Sequence, residues 1–153
     1  MMTKRFLLLP LAALTLLAAC GKTDSSEAAA DSVLAATPPM PKTPHVASFD
    51  IGRQAEPNGR IFGGSTDKFT VGDTIVVSVR AQHTAAGDAV SARIRIGGKT
   101  VDSLGLKLPA PDSTGFATAP ISFSRTKKWT TGNYQVETFL GAASQGIKEI
   151  TVH

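Results

Sequence analysis

One cysteine in 153 residues, Cys20, leaves no internal disulfide to hold a domain together, so any fold here must stand on its packed core. Histidine is nearly as scarce. His45, His83 and His153 lie far apart, and none falls in a metal-ligand spacing such as one histidine four residues from another. There is no Gly-x-Ser-x-Gly turn to expose and activate a serine. Gly98-Lys99-Thr100 has the ending of a phosphate-binding loop, but Arg93 stands where its first glycine belongs, and a hairpin is expected where a helix should begin. Asp67, Asp73, Asp88, Asp102 and Asp112 are spread through turns, where aspartate closes local hydrogen bonds. A calcium ion held between two such loops is the one metal reading this pattern leaves open. The sequence therefore leads us to expect no enzyme, no cofactor and no metal centre.

What the chain does have is an ordered N-terminal series. Lys4 and Arg5 precede an apolar stretch from Phe6 to Leu17, and small residues follow. These are the three parts of a secretory signal. The stretch is shorter than the ~17 to 25 residues a membrane-crossing helix needs, and Pro10 interrupts it. Leu17-Ala18-Ala19-Cys20 then resembles, at every position, the "lipobox" that ends the signals of bacterial lipoproteins. That resemblance implies that the Cys20 sulfur receives a diacylglyceryl group, that the chain is cut before it, and that the new amine is acylated in turn. A thiolate is the nucleophile such a transfer requires. One acyl chain gives an affinity of only about 10⁴ M⁻¹ for a membrane, whereas two or three hold a protein there permanently. In Gram-negative lipoproteins an aspartate after the cysteine favours the inner membrane. Gly21 stands there instead, which points to the outer membrane.

The expected organisation is a signal over 1–19, a lipidated start and linker over 20–45, and a domain over 46–153. Ser25, Ser26, Ala28 to Ala30, Pro38, Pro39, Pro41 and Pro44 give the linker too little apolar surface to offset its ordering entropy. Loss of Lys4 and Arg5 lowers the full chain's charge from +4 to +2. A surface so near neutrality, in an exported protein, gives no reason to expect nucleic acid as a partner.

From Val46 onward the pattern has period two, broken by turn residues about every ten positions. Strands are expected over 46–51, 60–62, 74–81, 89–96, 99–103 with its continuation to Leu108, 116–124, 134–140 and 147–152. Ala47, Phe49 and Ile51 should share a face. The β-branched density of Ile75, Val77 and Val79 predicts a central strand. Val90, Ala92, Ile94 and Ile96 alternate with Ser91, Arg93 and Arg95, one side core and the other solvent. Gly97-Gly98 reads as a two-residue hairpin turn, and Pro120 assigns its strand to an edge or a bulge.

About seven short strands fit an antiparallel β-sandwich, and Trp129 to Val136 narrows the choice. A tryptophan, a glycine turn at Gly132 and Tyr134 opening the penultimate strand resemble the tyrosine-corner region of immunoglobulin-like domains. That resemblance implies an all-β, immunoglobulin-like sandwich, with Trp129 and Tyr134 structural. Alternation also places Arg93 and Arg95 on one outer face, with Arg80 or Lys99 expected nearby, as a candidate surface for an anionic partner. Lys127-Lys128-Trp129 is a second, basic and aromatic loop, with the Trp129 ring expected to plug the end of the sandwich.

The function expected from the sequence is a lipid-anchored, non-catalytic protein of the Gram-negative outer membrane that binds an envelope protein or glycan. Two alternatives stand beside it: a hydrolase assembled from loops, with His83 beside an aspartate and a serine, and an envelope inhibitor or immunity lipoprotein.

Overall fold

The computed structural model describes residues 42–124, 126 and 128–153. Cys20, the expected signal, nearly all of the expected linker, Arg125 and Lys127 lie outside them. Eight strands follow in order: β1 (His45–Gly52), β2 (Lys68–Phe69), β3 (Ile75–Gln82), β4 (Ala89–Ile96), β5 (Lys99–Lys107), β6 (Phe116–Phe123), β7 (Gly132–Leu140) and β8 (Ala143–Val152). They form a three-stranded sheet ordered β1-β3-β6 and a five-stranded sheet ordered β2-β8-β7-β4-β5. The chain changes sheet between β1 and β2, β2 and β3, β3 and β4, β5 and β6, and β6 and β7, so neighbours in sequence are repeatedly separated in space. This is the Greek-key path of an immunoglobulin-like sandwich, β4, β7 and β8 forming the three-strand heart of one sheet.

The core forms where the inward residues of the two sheets meet. Ile75, Val77, Val79 and Ala81 of β3, with Ala117, Ala119, Ile121 and Phe123 of β6, face Val90, Ala92 and Ile94 of β4 and Val136 of β7. β3 is central in its sheet, as its β-branched run predicts, and its inward residues are wholly buried. β4 keeps its expected boundaries. Both hairpin glycines take positive φ, 54° at Gly97 and 78° at Gly98, which is what a twisted two-residue turn demands. Pro120 lies on β6, an edge strand, where its missing N–H interrupts no ladder.

The closing corner of the sandwich is built as its sequence suggests. The Tyr134 hydroxyl donates to the Thr130 carbonyl at 2.8 Å, and the ring meets that of Trp129 edge-on, centroids 5.9 Å apart. Trp129 is buried, its indole Nε1 donating to the Asp73 carbonyl at 2.8 Å and its backbone N–H to Val71. The loop before β7 is thereby tied to the turn before β3.

Three local expectations are corrected. Ala47 is exposed, because a register shift between Val46 and Ser48 inserts one extra residue and turns Val46 toward the core instead. Arg60 to Phe62 is not a strand of either sheet; Ile61 makes only an isolated bridge to Ala55 within a folded-back loop. β2 was absent from the expected strands, and it pairs in parallel with β8, Lys68 opposite Thr151 and Phe69 opposite Val152.

Candidate functional site

Two outer surfaces carry the polar chemistry of the described residues, one on each sheet. On the five-stranded sheet, pairing aligns Ser103, Arg93, Glu137 and Ile147 in one row across β5, β4, β7 and β8. Arg93 and Arg95 do emerge on the same face. Each is held by a residue of β7: Arg95 Nη1 lies 3.3 Å from Glu137 Oε2, and the Arg93 guanidinium sits over the Phe139 ring at 4.7 Å. Glu137, only 8% exposed, also accepts from the Ser144 hydroxyl at 2.7 Å. Beside this set Ile147 is 54% exposed, a large apolar side chain among fixed charges. Arg80 is not part of the face. It belongs to β3 in the other sheet and points out of the opposite side of the sandwich.

That opposite side carries a feature the sequence reading missed. Residues 53–65 leave β1, fold back on themselves and lie as a flap over the outer surface of the three-stranded sheet. Phe62 N–H donates to the Gln54 carbonyl and Glu56 N–H to the Arg60 carbonyl, closing the flap's turn, and Asn58 Oδ1 accepts from Arg60 N–H at 2.9 Å. Gly59, with φ of 83°, packs its bare Cα against Thr118 and Pro120 of β6. At the root, Ile61 presses on Gly52 so closely that a Cβ on Gly52 would stand 2.2 Å from Ile61 Cγ2. Arg53 clamps the same root, its Nε donating to Asp73 Oδ2 at 2.9 Å and its Nη2 to the Lys68 carbonyl at 2.7 Å. Asp73 also accepts from Thr70 N–H at 2.8 Å. The Thr70 amide first, and the Arg53 guanidinium second, hold the Asp73 carboxyl below its usual range.

Between flap and sheet lies a cleft of about 300 Å³. Asp50 of β1 and Ser78 and Arg80 of β3 form its floor, and Glu56, Arg60, Ile61 and Ser65 of the flap form its wall. The Arg80 guanidinium rests over the Phe116 ring at 4.3 Å. Among the described residues neither Arg60 nor Arg80 has a carboxylate within 4.0 Å, whereas Asp50 lies 3.6 Å from Lys148 Nζ. The Asn58-Gly59 pair, a strong hairpin signal, was the mark in the sequence from which this flap was readable.

The remaining sequence candidates fall elsewhere. His83, an exposed residue with φ of 57°, has its ring 5.8 Å from that of His45, and among the described residues no hydrogen bond joins it to an aspartate or a serine. Trp129 belongs to the loop before β7 but its side chain is buried in the core, while Lys127 lies outside the described residues. Among the described residues no three His, Cys, Asp or Glu side chains are grouped to hold a metal ion.

No protein-family model matches the chain, and no curated protein matches it in sequence. Among solved structures it is similar to an immunoglobulin-like protein from Pseudomonas aeruginosa, at 12% identity over 72% of this chain and 97% of that one, with a TM-score of 0.48. It is similar also to a CARDB domain from Pyrococcus furiosus, at 12% identity over 72% of this chain and 94% of that one, TM-score 0.39. An alkylpurine DNA glycosylase from Pseudomonas fluorescens is similar at 14% identity over 72% of this chain but only 30% of its own length, TM-score 0.46.

Proposed function

We propose that this chain is a lipid-anchored, non-catalytic module of the Gram-negative outer membrane that holds an envelope protein against the outer face of its five-stranded sheet. The location rests on Leu17-Ala18-Ala19-Cys20 and on the Pro- and Ala-rich stretch that would serve as a tether. The observation that carries the binding role is Ile147, 54% exposed beside an immobilised Arg95–Glu137 pair and an Arg93 stacked on Phe139. Side chains already held in place lose little rotamer freedom when a partner docks. Arginine and aromatic residues around an apolar centre are also the composition of binding hot spots.

Two experiments test the two halves. Metabolic lipid labelling and membrane fractionation should recover a labelled, membrane-bound chain, and Cys20→Ser should lose both; equal labelling in the variant refutes the anchor. A photo-crosslinking residue at position 147 should trap a discrete protein adduct in intact envelopes, and Arg93→Ala should abolish it. The same crosslinker at position 122, on the opposite exterior, should not trap it. Adducts equal at both positions, or with polysaccharide alone, overturn the assignment of a protein to this face.

A further inference from the structure

We infer that the cleft beneath the 53–65 flap binds one acidic sugar residue, a carboxylated pyranose, with the carboxylate on Arg60 and Arg80. Two guanidiniums line one small cleft, and among the described residues neither has a carboxylate partner within ion-pair reach. A guanidinium presents a planar fork of N–H donors that matches a carboxylate in two-point contact. An oxyanion supplied by a ligand would complete what the protein leaves open.

The rest of the lining says what else that ligand carries. Asp50 and Glu56 are acceptors, and the buried Ser78 places a hydroxyl side chain at the floor. Carboxylates in the same cleft disfavour a doubly charged phosphate, because a second negative charge would meet them at short range in a partly dry site. They favour a ligand rich in hydroxyl donors. Ile61 offers an apolar wall to the C–H face of a ring. A volume of about 300 Å³ sits at the lower end of small-molecule sites and takes a single sugar unit rather than an extended chain. One negative group, several hydroxyls and one ring's bulk together describe a hexuronate.

The cleft lies on the sheet opposite to Ile147, so this inference and the protein-binding face stand or fall separately. The test is saturation-transfer NMR and calorimetry on the full chain, with glucuronate, glucose and glucose 6-phosphate as probes. Glucuronate should bind with a dissociation constant on the order of a millimolar, as an open polar cleft allows. Glucose and glucose 6-phosphate should bind at least about tenfold more weakly, the first lacking the anion and the second carrying too much charge. Arg60→Gln, on the exposed flap, and Arg80→Gln should each weaken glucuronate about tenfold or more while thermal unfolding of the Arg60 variant stays unchanged. Any one of three results overturns the inference: no saturable glucuronate binding up to tens of millimolar, equal binding of the three probes, or parental affinity in both variants.

Discussion

Gly52→Ala is the smallest change that tests whether the flap is seated by close contact or merely lies near the sheet. The added Cβ would stand 2.2 Å from Ile61 Cγ2, whereas ordinary contact begins at 3.4 Å, so the flap must retreat by about 1.2 Å. Two terms compete. Replacing a strand glycine by alanine returns roughly 0.5–1 kcal/mol through the unfolded chain's lost freedom. Overpacking a seated contact costs about 1–3 kcal/mol, because a β-branched side chain has few rotamers in which to give way. Steric cost should win, leaving a destabilisation of about 0.5–2 kcal/mol. For a domain of this size that is a fall of roughly 2–8 °C in Tm, with a matching drop in the urea midpoint and an unchanged denaturant slope. The decisive measurement is the double variant with Ile61→Ala, which removes the obstructing methyl. If the contact is as described, Ile61→Ala should cost about 1 kcal/mol less in the Gly52→Ala background than alone. Glucuronate binding should also weaken in Gly52→Ala, although both arginines remain, because Arg60 and Ser65 move with the flap. A parental or raised Tm for Gly52→Ala, together with additive costs in the double variant, refutes the seated-flap argument.

Two further outcomes follow from other groups. Thr138 is wholly buried between Ala92 and Gly146 of the neighbouring strands, and its hydroxyl has no partner among the described residues. Thr138→Val keeps the shape and removes the orphaned donor, so it should stabilise by about 1 kcal/mol in urea unfolding; a loss of stability would show that the hydroxyl is satisfied. Asp73 has its folded carboxyl held down by the Thr70 amide and Arg53, so its contribution is complete above the ordinary aspartate value of about 3.9 and lost as pH falls through the lower folded value. Asp73→Asn should therefore be less stable than the parent at neutral pH, the gap closing as pH falls below the ordinary aspartate value of about 3.9; a gap independent of pH would rule out the charge as its source.

Where the local sequence carried the whole constraint, the fold was legible. The alternation in Ala89–Ile96 fixes both its faces and its ends, because moving the register by one residue would drive Arg93 and Arg95 into the core. Gly97-Gly98 and Pro120 are similarly local, one through positive φ and the other through a missing donor. The misses have a common cause in distant partners. β2 is two residues long and exists because β8 and the Arg53 clamp meet it, which nothing in Lys68-Phe69 announces. The bulge at Ala47 is likewise set by pairing with β3 and not by its own side chain.

The same distinction separates the two surfaces on which an anion would be sought. Period two suffices to put Arg93 and Arg95 on one face, but their environment depends on β7, some forty residues later, which brings Glu137 against Arg95 and the Phe139 ring under Arg93. An arginine already facing a carboxylate must lose that partner before it serves another, so much of the attraction for an incoming anion is spent within the protein. Arg60 and Arg80 differ from Arg95 in this respect, although Arg80, like Arg93, rests over a ring. Twenty residues separate Arg60 from Arg80, no periodicity relates them, and only the folded-back flap brings them to one cleft with no carboxylate within ion-pair reach. Specificity for a negatively charged ligand follows the unmet guanidinium rather than the visible one. On that ground the proposed anion site is the cleft, and the Arg93–Arg95 face, with Arg95 already paired to Glu137 and Ile147 exposed beside it, is the surface proposed for a protein.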